Sequence, residues 1–247
     1  MRLGPDATIG VLGVGRVGSA LARKALAAGF AVNVASSKDP SRISLLTEIV
    51  IPGATAMTAE QVIAEADLVI LAVPLHKYRT LPADALDGKV VVDAMNYWAP
   101  IDGAIPEFEE RSSSEVVRDF LPGSRVVKSF GHIGYHELES DGRPAGDPNR
   151  RALGIAGDDA EAKAIVAEFI DALGFDVVDA GALVAGANFQ PGTAIFSGRH
   201  SAADIRSILA EATEATEATE ATEATEATEA TEQTEAPEAA EPAVQPA

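Results

Sequence analysis

Five short runs along the first 130 residues are apolar with few polar breaks: ATIGVLG (7–13), FAVNVAS (30–36), DLVILAVP (67–74), KVVVDAM (89–95) and SRVVKSF (124–130). A strand with one wet face alternates apolar and polar positions, whereas near-continuous runs belong to strands buried on both faces of a parallel sheet. Between the runs the period changes to that of a helix. VGSALARKALAAG (17–29) sets Leu21, Ala25 and Ala28 at helical spacing and ends on Gly29, a helix stop. TAEQVIAEA (58–66) opens with Thr58 and Gln61 at capping-box spacing, and SSSEVVRDFLPG (112–123) repeats the device with Ser112 and Glu115. Strand–helix alternation of this kind predicts a doubly wound parallel α/β sheet with right-handed crossovers. RALGIAG (151–157), DDAEAKAIVAEFIDALG (158–174) and FDVVDAG (175–181) add one more strand–helix–strand unit. The unit is too short for a large separate domain and is expected to form a small C-terminal α/β lobe.

The pattern stops at residue 210. From Glu211 the chain repeats Glu-Ala-Thr with period three and ends EAPEAAEPAVQPA, with no aromatic or basic residue and Val244 as its one large aliphatic. Such a segment cannot bury enough apolar surface to offset the entropy of ordering it, and a period of three builds no apolar helix face. The expected division is a dinucleotide-type domain at 1–130, a small lobe at 131–210 that closes a cleft, and a disordered acidic tail at 211–247, with a fraying helix as the lesser alternative for the tail. The tail's eleven glutamates account for more than half of the net charge of −19, leaving −8 on residues 1–210. A mildly acidic body argues against nucleic acid as a partner. The absence of Cys excludes disulfides and thiolate chemistry. No stretch nears the ~20 apolar residues of a membrane span, and the start MRLGPDATIGVLG lacks the form of a signal peptide. A cytoplasmic protein with small-molecule partners is expected, and a homodimer is allowed for.

Gly13-Val14-Gly15-Arg16-Val17-Gly18 fits G-x-G-x-x-G between a strand and a helix. That setting gives the motif its mechanics: Gly13 for the tight turn, Gly15 for close approach of backbone to a pyrophosphate, and Gly18 for helix–strand packing. The phosphates would lie at the positive end of the helix dipole. The sheet is therefore expected to be of the Rossmann type. At the end of the second strand, where an NAD enzyme usually carries Asp or Glu, stand Ser36, Ser37 and Lys38. Two hydroxyls and a cation can donate to a 2′-phosphate, so NADP(H) is favoured over NAD(H), with Asp39 as the complication if its loop turns inward. Val73 and Pro74 close one strand, and Met95 and Asn96 close the next. In an open α/β sheet, ligands lie outside the carboxyl ends of strands. These four are candidates for the wall beside ribose and nicotinamide, and His76 is a candidate to reach the cofactor.

With these residues in place, the chain resembles the coenzyme F420-dependent NADP oxidoreductases over roughly residues 7–198. The likeness is carried by IGVLGVGRVGSALA, SSK, DLVILAVP, KVVVDAMN, SSSEVV, RVVKSF, GYHEL and VDAGALVAG. It implies hydride transfer between NADP(H) and coenzyme F420, a deazaflavin bound in a cleft between the Rossmann domain and the small lobe. Two cofactors that carry their own chemistry ask the protein chiefly to hold two rings face to face, so no catalytic side chain is assigned. Cations would then border the cleft mouth, with Arg143, Arg150, Arg151 and Arg199 as candidates. Where much of the family has Asn after VVK-x-F, this chain has Gly131, a loss expected to enlarge the pocket or change the second substrate. The alternatives are NADPH-dependent reduction of another acceptor (a flavin with ferric iron, an imine or a carbonyl) and a non-catalytic NADP(H)-binding redox sensor.

FGHIGYHE (130–137) holds His132 and His136 four residues apart, with Glu137 adjacent. That spacing aligns two metal ligands only on a helix, and Gly131 and Gly134 disfavour one here, so no metal is expected. The segment instead follows the last Rossmann strand. Gly131, His132 and Tyr135 are predicted to line the cleft where nicotinamide and second substrate meet.

Overall fold

In the computed structural model, which describes residues 3–4, 6–196 and 198–215, the apolar runs form the strands of one sheet. In chain order these are β1 (Thr8–Leu12), β2 (Ala31–Ala35), a two-residue β3 (Thr55–Ala56), β4 (Leu68–Leu71), β5 (Val90–Asp93) and β6 (Arg125–Lys128). All six pair in parallel, and with the two later strands β7 (Ala152–Gly157) and β8 (Asp176–Asp179) the full sheet runs in the order β3-β2-β1-β4-β5-β6-β7-β8. Neighbouring residues of a strand point to opposite faces, so Leu68 and Ile70 enter one core while Val69 and Leu71 enter the other. The unbroken runs thus reflect a sheet covered on both sides.

Helices α1 (Arg16–Ala27), α2 (Pro40–Val50), α3 (Ala59–Glu65), α4 (Ala99–Asp102), α5 (Glu107–Glu110), α6 (Ser113–Phe120), α7 (Tyr135–Ser140) and α8 (Ala160–Ala172) fill the connections. One core takes Leu21 and Ala25 from α1 with Ile165 and Phe169 from α8; the other takes Val62 and Ile63 from α3 with Val116 and Val117 from α6. A fully buried side chain such as Leu21 contributes about 1.5–3 kcal/mol relative to exposure. The Thr58–Gln61 capping box forms in both directions, at 3.3 and 3.1 Å. At Ser112 only half of it forms. The hydroxyl accepts from Glu115 N–H, but the Glu115 carboxylate takes the Ser112 hydroxyl rather than its backbone N–H.

Two features differ from expectation. The last unit is not a lobe apart from the Rossmann sheet but its continuation. β7 (Ala152–Gly157) pairs antiparallel with β6 through Val127↔Gly157 and Lys128↔Ala156, and β8 (Asp176–Asp179) lies parallel to β7. An open β6 would leave a row of unpaired N–H and C=O groups, and β7 satisfies part of it. The connecting helix α8 then joins the core beneath α1, with Phe169 5.6 Å from Phe30 and 6.0 Å from Phe130 between ring centroids. The second difference lies at the tail. Met1–Ile208 forms one compact unit; in the other, residues 209–215 are helical, so for 211–215 the fraying helix, the lesser alternative, applies. The rest of the acidic repeat, 216–247, lies outside the described residues.

Candidate functional site

The turn from β1 into α1 is built around glycines. Gly13 has φ +115°, and a Cβ there would lie 2.4 Å from the Ala72 carbonyl oxygen. A Cβ on Gly18 would lie 1.8 Å from the Gly13 oxygen, so helix and strand can meet only without it. Gly15 has open space beside it and is the N-cap of α1, with no side chain capping the helix and no acid in its first turn. The free N–H groups and the dipole there suit an anion. Val17 is half-buried and packs against the core behind this turn.

In front of the turn lies a cleft of about 520 Å³, where Gly13, Val14, Gly15, Ser36, Ser37, Val73 and Pro74 converge. Seven of the residues expected from the sequence therefore share one cavity. Lys77, from the 3-10 helix Leu75–Thr80 after β4, lines it too. Sequence reasoning missed Lys77 because a cation in a short polar turn carries no periodic signal. Lys38 is exposed next to Ser37, and its N–H donates to the Ser36 hydroxyl at 3.1 Å. Asp39 does not turn inward. Its carboxylate caps α2, accepting from the N–H of Ser41 at 2.9 Å and its hydroxyl at 2.5 Å, bonds that hold its pKa below the usual carboxylate value. A second hollow along the same loop joins Val14, Gly15 and Arg16 to Tyr135, whose ring centroid is 5.7 Å from the Arg16 guanidinium carbon.

The carboxyl ends of β5 and β6 are tied together by polar groups that the sequence reading did not single out. Asp93 ends β5 and is the register partner of Lys128 at the end of β6; both side chains are fully buried. Lys128 Nζ lies 3.4 Å from Asp93 Oδ2 and donates to the Met95 carbonyl. Asp93 also accepts from the Ser114 hydroxyl at 2.6 Å and from Met95 N–H at 2.9 Å. Both backbone groups of Met95 are thus held from beneath, and its side chain packs into the core instead of walling a pocket. The available signal was a charge closing each apolar run, VVVD and RVVK.

Asn96 follows directly. Its Nδ2 donates to the Gly131 carbonyl at 2.6 Å, while its buried Oδ1 has no partner. A Cβ on Gly131 would lie 2.6 Å from that Oδ1, so the place of a side chain at 131 is taken by Asn96. One residue earlier, Phe130 has φ +59°, and Gly131 N–H donates to Ser129 O at 2.8 Å, a tight three-residue turn of a strained kind.

That turn sends His132 inward. Rather than lining the cleft, its ring is 3% exposed, lies 4.8 Å from the Phe189 ring and accepts the Gly154 N–H on Nε2 at 2.9 Å. Burial, then the charges of Arg151, Lys128 and His200, pull its pKa down to about 3. His136 sits exposed on α7, and among the described residues no three His, Asp or Glu side chains are placed to hold a metal. His76 does not line the cleft in front of the glycine turn either. Its Nδ1 meets Asp102 Oδ1 at 2.8 Å, and the other Asp102 oxygen accepts from Trp98 N–H at 2.8 Å. Burial works to raise the Asp102 pKa, but the hydrogen bonds from His76 and Trp98 outweigh it and the net shift is downward.

Comparison with known proteins agrees with this architecture. The family described as NADP oxidoreductase, coenzyme F420-dependent, matches residues 8–97. Rat metalloreductase STEAP3 is 33% identical over 183 residues, 71% of this chain, which itself spans about a third of that protein (34%). The crystal structure of the hypothetical protein SMa0349 from Sinorhizobium meliloti superposes with a TM-score of 0.69 at 31% identity, covering 78% of this chain and 95% of that one. A candidate F420-dependent NADP reductase from Arthrobacter sp. FB24 gives 0.63 at 27% identity, covering 74% and 88%. The chain belongs to the coenzyme F420-dependent NADP oxidoreductase family.

Proposed function

We propose that the protein transfers hydride between NADP(H) and coenzyme F420. The observation that carries the nucleotide half is the cleft itself: Ser36, Ser37 and Lys77 face a cavity at the end of β2, while Asp39, the one carboxylate in the SSKD turn, is engaged in capping α2. The hydroxyls and the ammonium would donate to a 2′-phosphate, and the free N–H groups at the start of α1 would receive the pyrophosphate. The buried, unpartnered Asn96 Oδ1 fits the nicotinamide end, where it would accept from an amide N–H. Each bound ring system supplies the redox chemistry; the chain's part is to hold the rings in register, with Met95 fixed from below by Asp93 and Lys128 and Asn96 tied to the Gly131 carbonyl. For the F420 half, support comes from the family and from the Arthrobacter relative's name.

Two titrations test the reading. Fluorescence titration with NADPH and NADH should favour NADPH, and Lys77→Met should weaken NADPH by about 10- to 100-fold, the worth of one charged hydrogen bond, with NADH within about twofold. Equal loss for both nucleotides would place Lys77 away from the 2′-phosphate. Mixing NADPH with oxidised F420 should bleach the deazaflavin absorbance. The likeness to a metalloreductase favours a second reading, reduction of a flavin or ferric acceptor, which predicts turnover with those acceptors and none with F420.

A further inference from the structure

Arg143, Arg150, Arg151 and Arg199 do not rim the dinucleotide cleft. They converge, with His200 and Ser201, on a separate polar pocket of about 490 Å³ that shares no lining residue with it. Two of the four form its inner wall. Arg150 is 5% exposed at its side chain and pairs with Asp171 and Asp176 at 2.8 Å each; Arg151 is 3% exposed and pairs with Glu137 at 2.9 Å and Asp141 at 3.4 Å. These carboxylates balance the buried charges and fix the guanidinium planes.

The other two cations are not balanced in this way. The described hydrogen bonds of the Arg143 guanidinium run to carbonyl oxygens, those of Ser140 and Gly142, both at 3.0 Å. Arg199 bonds the Asn149 carbonyl at 2.9 Å, and its contact with Asp141, itself shared with Arg151, is 4.0 Å long. The charge on Arg143 is felt nearby: after burial, it is the next cause pulling down the pKa of Lys24. Asp204, the acid that lines the pocket, is spent on its own turn, accepting the N–H and the hydroxyl of Ser201 at 2.8 Å. Arg143 and Arg199 therefore bring positive charge to the cavity without a close carboxylate of their own, and the planar guanidinium fork suits a phosphate or carboxylate. The volume exceeds what a bare oxyanion needs.

We infer that this pocket is a second ligand site, which recognises an oxyanionic group, phosphate or carboxylate, carried on a larger molecule. The site stands on its own geometry and does not rest on the hydride-transfer reading. The probes are inorganic phosphate and citrate, titrated by calorimetry into the full chain at constant ionic strength, with NADPH binding followed in parallel. Saturable binding of at least one probe is expected; which of the two binds more tightly separates the phosphate from the carboxylate source. That binding persists in Lys77→Gln, which has lost the cation of the dinucleotide cleft, and weakens at least tenfold in Arg143→Gln and in Arg199→Gln. Both substituted residues lie outside the buried ion pairs, so melting temperature and NADPH affinity stay near wild type and report that the fold is intact. Binding of neither probe, binding abolished by Lys77→Gln, or binding untouched by both arginine changes would overturn the proposal, whatever the outcome with NADPH.

Discussion

Lys128→Met removes one charge from the interior and keeps nearly the same shape. The Lys128 stem packs closely enough on Gly186 that a Cβ there would sit 3.0 Å from Lys128 Cγ, and a methionine stem follows the same path. What disappears is the ammonium, 3.4 Å from Asp93 Oδ2 in a region with no exposure. At that distance and an effective dielectric of about 20, the attraction is about 5 kcal/mol. Breaking a buried pair from one side commonly costs about 3–5 kcal/mol, because the remaining charge is stranded. Asp93 would keep only the Ser114 hydroxyl and Met95 N–H. In a chain of this size each kcal/mol moves the melting temperature by about 2–4 °C, so a drop of about 6–20 °C is expected. Adding Asp93→Asn removes the stranded charge and keeps Oδ1 for the Met95 N–H, while the new Nδ2 can donate to the Ser114 hydroxyl oxygen in place of the bond Asp93 Oδ2 accepted, so the double variant should recover at least half of the loss. Thermal melts and urea titrations of the four proteins give the coupling energy directly. A single variant within about 1 kcal/mol of wild type, or a double variant no more stable than Lys128→Met, would refute the ion-pair account.

Three further outcomes follow from the same geometry. In Gly131→Ala the new Cβ meets Asn96 Oδ1 at 2.6 Å and must break the Asn96–Gly131 bond; turnover should fall at least tenfold while NADPH affinity stays within about threefold, and unaltered turnover would remove Asn96 from the site. His132 has a folded pKa near 3 against an ordinary 6.5, so below pH 6.5 the unfolded chain binds a proton that the folded ring refuses. Stability should fall by about 2 kcal/mol between pH 6.5 and 5, and denaturation of His132→Gln should lose that component of the slope; identical slopes would contradict it. Asp102→Asn weakens the tie between His76 and Trp98, so emission from the chain's single tryptophan should shift to the red and iodide quenching should rise, whereas an unchanged spectrum would deny the tie. Because the Asp102 pKa is lowered on folding, its stabilisation is present above the ordinary carboxylate pKa and is lost as acid takes the pH through the lower folded value.

The strands were readable because an interior parallel strand leaves almost no polar position, and the glycine turn because its spacing encodes a steric demand. What escaped were facts of register. Asp93 and Lys128 each look like the polar end of an apolar run, and only the pairing of β5 with β6 makes them partners. The last strand–helix–strand unit was visible as a unit, but its docking was not. Two residue pairs between β6 and β7 decide it, and neither strand differs in composition from one that would start a new sheet. Helix α2 was missed because its buried side consists of little more than Ile43 and Thr47, while Leu45, Leu46 and Ile49 are exposed, which blurs the helical period.

Residues 129–137 carry this lesson furthest, because one backbone turn distributes their chemistry. Read as a string, two histidines and a glutamate suggest ligands. The positive φ at Phe130 separates them: the chain folds over Gly131, His132 drops into the interior against Gly154, and α7 begins at Tyr135 with His136 outside. Gly131 then has a definite purpose, since its carbonyl holds Asn96 and its missing Cβ admits the Asn96 amide. Tyr135 is delivered to the glycine loop through Arg16, and Glu137 to the inner wall of the arginine pocket through Arg151. The same short helix therefore touches both the glycine loop and the arginine pocket, and its placement depends on a strained residue that no periodicity marks. A substitution that relaxes Phe130, such as Phe130→Gly, would remove the strain, but it would also delete a ring 6.0 Å from Phe169 in the core, so stability has to fall even as the turn becomes easier.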